Sequence, residues 1–241
     1  MKYKFVYDKA FLQMQSLDLS EEEIRIVLAT IVGQHNAIFY GYKPERLVNA
    51  IRKLIGYIPF IEVSSPISCT TLAGRCVNAV HGIAYIRQMD SFDKDCLDLL
   101  VSNTTNVGRG AQYIATVSSN PCVTVCDSLR NNFDIVYYCK DTERSDRTTT
   151  EIKKKLKRAI EYQHGLDSGT YPAGLYRKDA LKSWWFGKAL YQRFCEMDRE
   201  DKVMPFKYLK VTRSLADIDN FSNPRESHWE EAERLYNNHR G

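Results

Sequence analysis

The sequence predicts an α/β core with a mostly parallel sheet flanked by helices, followed by a C-terminal helical bundle. Three observations carry that expectation. Strand-like and helix-like patterns alternate over the first 140 residues, as parallel strands joined by helical crossovers require. After Asp141 the periodic stretches have helical spacing and no strand pattern competes. A hydrophobic content of 44% and a charged content of 27% over 241 residues suit a globular chain with a sizeable core.

The elements follow in order. "LSEEEIRIVLATIVGQ" opens with Ser20 three residues before Glu23, a capping-box pattern, and Ile24, Val27, Leu28 and Ile31 recur at helical spacing. "NAIFYG" reads as a buried strand. "PERLVNAIRKLIG" reads as a helix, with Pro44 in its first turn and Gly56 just past its end. "YIPFIEVSS" and "HGIAYIRQM" are strands, "SFDKDCLDLLVSN" is a helix, and "GRGAQYIATVSSN" and "NNFDIVYYCKD" are two further strands. The polar link "TERSDRTTT" then leads into "EIKKKLKRAIEYQHG", "YRKDALKSWWFGKALYQRFCEMDRE", "KVMPFKYLKVTRSLADIDN" and "NPRESHWEEAERLYNNH", all of helical character. The boundary is placed at 141/142, giving an α/β core over 1–141 and a helical lid over 142–241.

Composition narrows the function classes. No apolar run approaches the about 20 residues that span a bilayer, and the N-terminus lacks a signal-peptide core, so a cytoplasmic protein without membrane contact is expected. Seven cysteines without a CxxC pair, and five histidines without ligand spacing, predict reduced thiols and no metal site. The net charge of +4 is uneven. Residues 142–241 hold 20 Lys/Arg against 16 Asp/Glu, leaving 14 of each in residues 1–141. That excess is milder than a dedicated DNA-binding domain shows.

One segment raises a chemical question. In "GQHNAIFYGYKPERLVNA" a strand, a glycine and a helix follow one another as they do at a phosphate-binding loop. Collinear with it run "IPFIEVSSPISCTTLAG", "AVHGIAYIRQMDSF", "TVSSNPC", "SLRNNFDIV" and "KVTRSLADIDNFSNPRESHWEEAERLY". In this order the six stretches resemble the magnesium-chelatase-like AAA+ proteins, particularly the ATPase module of the ComM-type branch-migration helicases. The resemblance covers roughly residues 17–238. It implies an AAA+ P-loop NTPase-like core with a helical lid. The protease-like N-terminal domain of ComM-type proteins has no counterpart here, and their cysteine-containing insert is reduced to a few residues.

The resemblance locates the catalytic positions, and the residues found there are of the wrong kind. In G-x-x-x-x-G-K-S/T, glycines let backbone N–H groups wrap the phosphates, the lysine reaches the β/γ-phosphates and the hydroxyl holds Mg²⁺. Counting from Gly41, the second glycine falls on Arg46, the lysine on Leu47 and the hydroxyl on Val48. Pro44 also removes one N–H donor. Lys43 and Arg46 either meet an anion at the helix N-terminus or serve the loop and the surface. Where the family needs a metal-binding Asp and a water-positioning Glu, Arg87 and Gln88 stand, with Asp90 the nearest carboxylate. Asn120 matches the γ-phosphate sensor or simply starts the turn before Pro121. The trans-acting arginine aligns with Asn132, Arg130 lying two residues earlier, and the lid arginine falls near Val203, with Lys207 and Arg213 close by.

These readings predict a pseudo-ATPase with no catalytic residues, no bound cofactor and no metal. The degenerate site region is Gly41, Lys43, Arg46, Leu47, Val48, Arg87, Gln88 and Asn120. The expected function is a structural or regulatory module that contacts a protein partner or itself through AAA+-like faces. The alternative is a non-hydrolytic nucleotide- or DNA-binding protein using the basic lid, whose "KKKLKRAI" at 153–160 is either a solvated face or a phosphate-contact surface. A third reading is a divergent active ATPase in which Lys43 or Arg46 replaces the lysine. "KSWWFGKALYQRF" interleaves aromatic and basic residues, for lid packing, a protein interface or single-strand stacking.

Overall fold

A computed structural model describes residues 17–56, 58–105, 110–165 and 187–237. Helix α1 (Glu21–Gly33) begins as its sequence requires: the Ser20 hydroxyl accepts from Glu23 N at 3.2 Å, and the Glu23 carboxylate accepts from Ser20 N at 2.9 Å. It leads into β1 (Ala37–Gly41), then α2 (Glu45–Leu54), β2 (Phe60–Ser64), α3 (Cys69–Asn78) and β3 (Ile83–Arg87). A 3₁₀ turn (Met89–Ser91), α4 (Lys94–Thr104), β4 (Gln112–Thr116), the short α5 (Pro121–Thr124) and α6 (Asp127–Arg130), and β5 (Ile135–Cys139) complete this part. The described C-terminal helices are α7 (Thr149–Gly165), α8 (Lys188–Glu200), α9 (Met204–Ile218) and α10 (Glu226–Asn237). Helix α3, like the short α5 and α6 and the 3₁₀ turn, had no sequence expectation. The Thr, Val, Cys and Gly74 of α3 are weak helix formers, and it depends on the Ser68 cap and on burying Leu72 and Cys76.

Among the described residues, five strands pair in parallel in the order β2-β3-β4-β1-β5. β1 is an interior strand: Ala37 opposes Ile114 of β4 and Ile135 of β5. Because both faces are covered, β1 is apolar throughout rather than alternating. Ala37 and Phe39 belong to the core shared with α1, α2, α7 and α9, whereas Ile38 and Tyr40 belong to the core on the α3, α4 and α6 face. A third cluster joins Leu190, Phe194, Tyr208, Leu209 and Trp229 among the last helices. Val211, Leu215 and Ile218 of α9 lie in the same cluster as Ile24, Val27 and Ile31 of α1, so the C-terminal helices share the core of the sheet.

This topology has one switch point. From β1 the chain leaves toward β2 over the α2 face, and from β4 it leaves toward β5 over the α5–α6 face. Adjacent strands whose connections diverge open a crevice beyond their carboxyl ends, the usual ligand position in such sheets. Among the described residues, no helix is long and apolar enough to cross a membrane.

Candidate functional site

The carboxyl ends of β1, β3 and β4 are where sequence reasoning placed the degenerate nucleotide site. Gly41 ends β1 at φ +94°, and a Cβ there would lie 2.5 Å from Tyr138 Cε2 and 2.6 Å from the Cys139 carbonyl oxygen. Only glycine meets both constraints. Tyr42 N still donates to Cys139 O at 2.9 Å, so the chain follows β5 for one residue more. Lys43 then takes a left-handed φ of 45°, Pro44 caps α2, and the helix begins at Glu45. Three residues thus join strand to helix, too few to wrap a phosphate. Arg46 N and Leu47 N already bond the Lys43 and Pro44 carbonyls, both at 3.1 Å, and Glu45 adds a negative charge to the first turn. The features that let a helix N-terminus attract an anion are weakened together.

The three positions that count as glycine, lysine and hydroxyl fall inside α2. Leu47 is 0% exposed and Val48 2% exposed, both in the core beneath α1. Arg46 turns back to α1: its Nη2 donates to the buried Glu23 carboxylate at 2.9 Å and reaches the Tyr42 and Lys140 carbonyls. Its Nη1 approaches Asp18 O at 3.4 Å. Its guanidinium lies 5.3 Å from the Tyr42 ring centroid, and the Lys43 ammonium lies 4.9 Å from that same centroid. Arg46 therefore ties α1, the β1–α2 turn and the end of β5 together.

The neighbouring tips carry structural contacts too. Arg87 closes β3 at 52% side-chain exposure, 3.9 Å from Glu62 on β2, a weak surface pair. Gln88 is left-handed at φ 49°; its N–H donates to Thr116 Oγ1 at 3.1 Å and its carbonyl accepts from Ser91. Asp90 accepts from the backbone N–H and the hydroxyl of Ser118, clamping the turn after β4. Asn120 caps α5, accepting from Cys122 N at 2.9 Å. Asn132 points inward, donating to Thr104 Oγ1 at 3.0 Å and Val101 O at 3.3 Å, and Arg130 pairs with Asp127 of its own turn. In α9 Arg213 donates to Asp217 and to the Phe221 and Ser222 carbonyls, while Val203 precedes the helix. The fold gathers Gly41, Gln88 and Asn120 at adjacent strand ends. It sends Arg46, Leu47 and Val48 elsewhere and leaves Arg87 on the β2 side.

A second constellation had no sequence signal, because its members lie 99 and 179 positions apart. His35 Nδ1 is 3.0 Å from Asp134 Oδ2, and His35 Nε2 is 2.8 Å from Ser214 Oγ. Lys210 Nζ donates to the other Asp134 oxygen at 2.7 Å. Burial alone would raise the Asp134 carboxyl, but Lys210 and His35 outweigh it and hold it well below the usual carboxylate range. Serine, histidine and aspartate stand here in the order of a nucleophilic triad. Yet His35 and Ser214 are both 0% exposed, so no substrate carbonyl has a path to the hydroxyl. The group fastens α9 to the amino-terminal ends of β1 and β5. Asn36 works beside it, accepting from Tyr113 N at 3.0 Å and donating to Asn132 O at 3.1 Å.

Lys207, one turn before Lys210, donates to Arg130 O at 3.2 Å, and burial pushes its ammonium down to about 8. Nearby, a cleft of about 540 Å³ separates α6 from α8, α9 and α10 and is lined by Asp127, Arg130, Glu200, Asp201, Tyr208 and Tyr236 among others. None of the eight candidate residues lines it. In α8, Leu190 and Phe194 are buried and Tyr191 is exposed; Trp184, Trp185 and Phe186 lie outside the described residues.

No protein-family model matches the chain, and no curated protein matches its sequence. Among solved structures, the crystal structure of a candidate ATPase from Cytophaga hutchinsonii superposes with a TM-score of 0.57 at 9% identity, over 92% of this chain and 83% of that one. At that identity the similarity speaks for the fold alone. The chain shares the fold of that structure: among the described residues, a parallel five-stranded sheet flanked by helices, with a helical C-terminal part.

Proposed function

We propose that this chain is a pseudo-ATPase of the magnesium-chelatase-like AAA+ kind, acting as a structural or regulatory module through contacts with a protein partner or with itself. One observation carries the reading: the position that counts as the phosphate-binding lysine is Leu47, wholly inside the core. An ammonium cannot be supplied from there without burying a charge. The short turn before α2, the Arg46–Glu23 pair and the cation Arg87 at the metal-carboxylate position support it further. An AAA+ active site depends on these parts acting together, and loss of single ones typically costs orders of magnitude in rate.

Calorimetric titration with ATP and ADP, with and without Mg²⁺, tests this. The expected result is no saturable Mg²⁺-dependent binding and no hydrolysis above background. Saturable ATP binding that disappears on Lys43→Ala would instead establish a divergent site using that lysine. The DNA-binding alternative draws less support from α7, where Lys155 lies 3.6 Å from Asp219 and Lys157 3.5 Å from Glu161. Absence of binding to forked DNA at low salt would remove it.

A further inference from the structure

The cysteine spacing offers no metal set, yet folding brings two thiols and a carboxylate together. Cys69 is the first residue of α3 and Cys96 the third of α4, and their sulfurs lie 3.1 Å apart. Asp93 caps α4, its carboxylate accepting from Cys96 N at 2.8 Å. One carboxylate oxygen and the two sulfurs all lie within 4.8 Å of one another. Cys96 is buried, Cys69 half-buried and Asp93 exposed, so the group opens to solvent on the carboxylate side. The sequence could not show this, because 27 positions and a whole strand separate the two cysteines.

We propose that Cys69, Asp93 and Cys96 form a binding site for a thiophilic divalent cation of the zinc class. Two soft sulfurs with one carboxylate are a zinc-type donor set, and three protein ligands leave a fourth position for water. Tetrahedral bonds of about 2.3 Å place two sulfurs about 3.8 Å apart. The present separation needs only to widen by about 0.7 Å, which a small rotation of half-buried Cys69 at the start of α3 supplies. Binding balances as M²⁺ + 2 RSH giving M(SR)₂ + 2 H⁺, with the Asp93 carboxylate already ionised. The hydrogen bond from Cys96 N holds that carboxyl below its ordinary value. The loaded site carries one net negative charge, and it sits on the first turns of two helices, whose N-terminal dipoles favour that sign. A bound cation displaces the thiol protons directly. The bound ion would staple the starts of α3 and α4 across the β2–β3 edge.

Cobalt titration of the full reduced chain tests the site, since Co²⁺ bound to thiolate shows a charge-transfer band and Zn²⁺ displaces it. One equivalent of Co²⁺ is expected to saturate the band, and the pair Cys122→Ser with Cys126→Ser, which removes the exposed C-x3-C thiols, is expected to leave it unchanged. Cys69→Ser is expected to abolish it. Asp93→Asn retains a helix cap and is expected to weaken Co²⁺ binding without unfolding the chain. Zn²⁺ is expected to raise the melting temperature of the wild type and not of Cys69→Ser. The proposal is overturned if excess Co²⁺ gives no band, if the band survives Cys69→Ser, or if it vanishes with the Cys122/Cys126 pair. Recovery of a Cys69–Cys96 disulfide, lighter by two hydrogens, from protein purified under reducing conditions would also overturn it.

Discussion

Leu47 makes the chemistry of the site a packing question. Its side chain, with Val48 and Ile51, fills the space between α2 and α1, and Ile24, Val27 and Ile31 belong to the same cluster. Placing a lysine there as Leu47→Lys is therefore not expected to create nucleotide binding. It is expected to cost about 3–5 kcal/mol of stability, read as a lower urea midpoint at unchanged slope, because an ammonium would be buried without a partner. A Leu47→Lys protein that keeps its midpoint and gains ATP binding would refute the assignment. Arg46 makes the complementary point. Its place in the sequence suggests an anion-binding cation, but its guanidinium is held by Glu23 and backbone carbonyls. Nothing local in "GYKPERLV" reveals which way that side chain turns.

At the scale of elements, the attachment of α9 to the sheet rests on Gly33. A Cβ at this helical position would lie 2.2 Å from His35 Nε2 and 2.3 Å from Ser214 Oγ, both in side chains with no room to retreat. In an exposed helix, replacing glycine by alanine stabilises by about 1 kcal/mol. Here overpacking of the His35–Ser214 contact is expected to reverse the sign, so that Gly33→Ala destabilises by about 1–3 kcal/mol. Thermal melts decide between the two, and a higher melting temperature for the variant would show that the contact yields. The element α3 illustrates why some of the fold was not legible. Its sequence has mediocre helix propensity, and the burial of Leu72 and Cys76 that stabilises it comes from tertiary packing rather than from local pattern.

For the whole molecule, the charges joining sheet and C-terminal helices set its acid stability. Asp134, beside Lys210 and His35, and Asp219, bonded by His228 and Arg25, both keep their carboxyls well below the ordinary range although burial pushes the other way. A depressed folded value means that this stability is complete above the unfolded carboxylate value of about 4 and is lost as pH falls below it. Asp217 acts oppositely, since burial raises its carboxyl despite Arg213, and it softens the net loss. Urea unfolding from pH 7 to pH 2 is thus expected to show a falling midpoint below about pH 4. Asp134→Asn is expected to be less stable than wild type at pH 7 but to lose less on acidification. A wild-type midpoint flat through that range would remove Asp134 and Asp219 from this role.

The periodic elements were legible from residue order: the capped α1, the apolar strands, the glycine that ends β1 and the helical stretches after Asp141. Local patterns of period two and 3.6, together with cap and turn residues, are enough for these. The identities of Leu47, Val48, Arg87 and Gln88 are likewise read from the sequence directly. It took the folded chain to show that Leu47 is core, that Arg46 faces Glu23, that His35, Asp134 and Ser214 meet, and that Cys69 and Cys96 touch. Those facts depend on strand order and helix docking, which bring residues together across separations that no local pattern encodes.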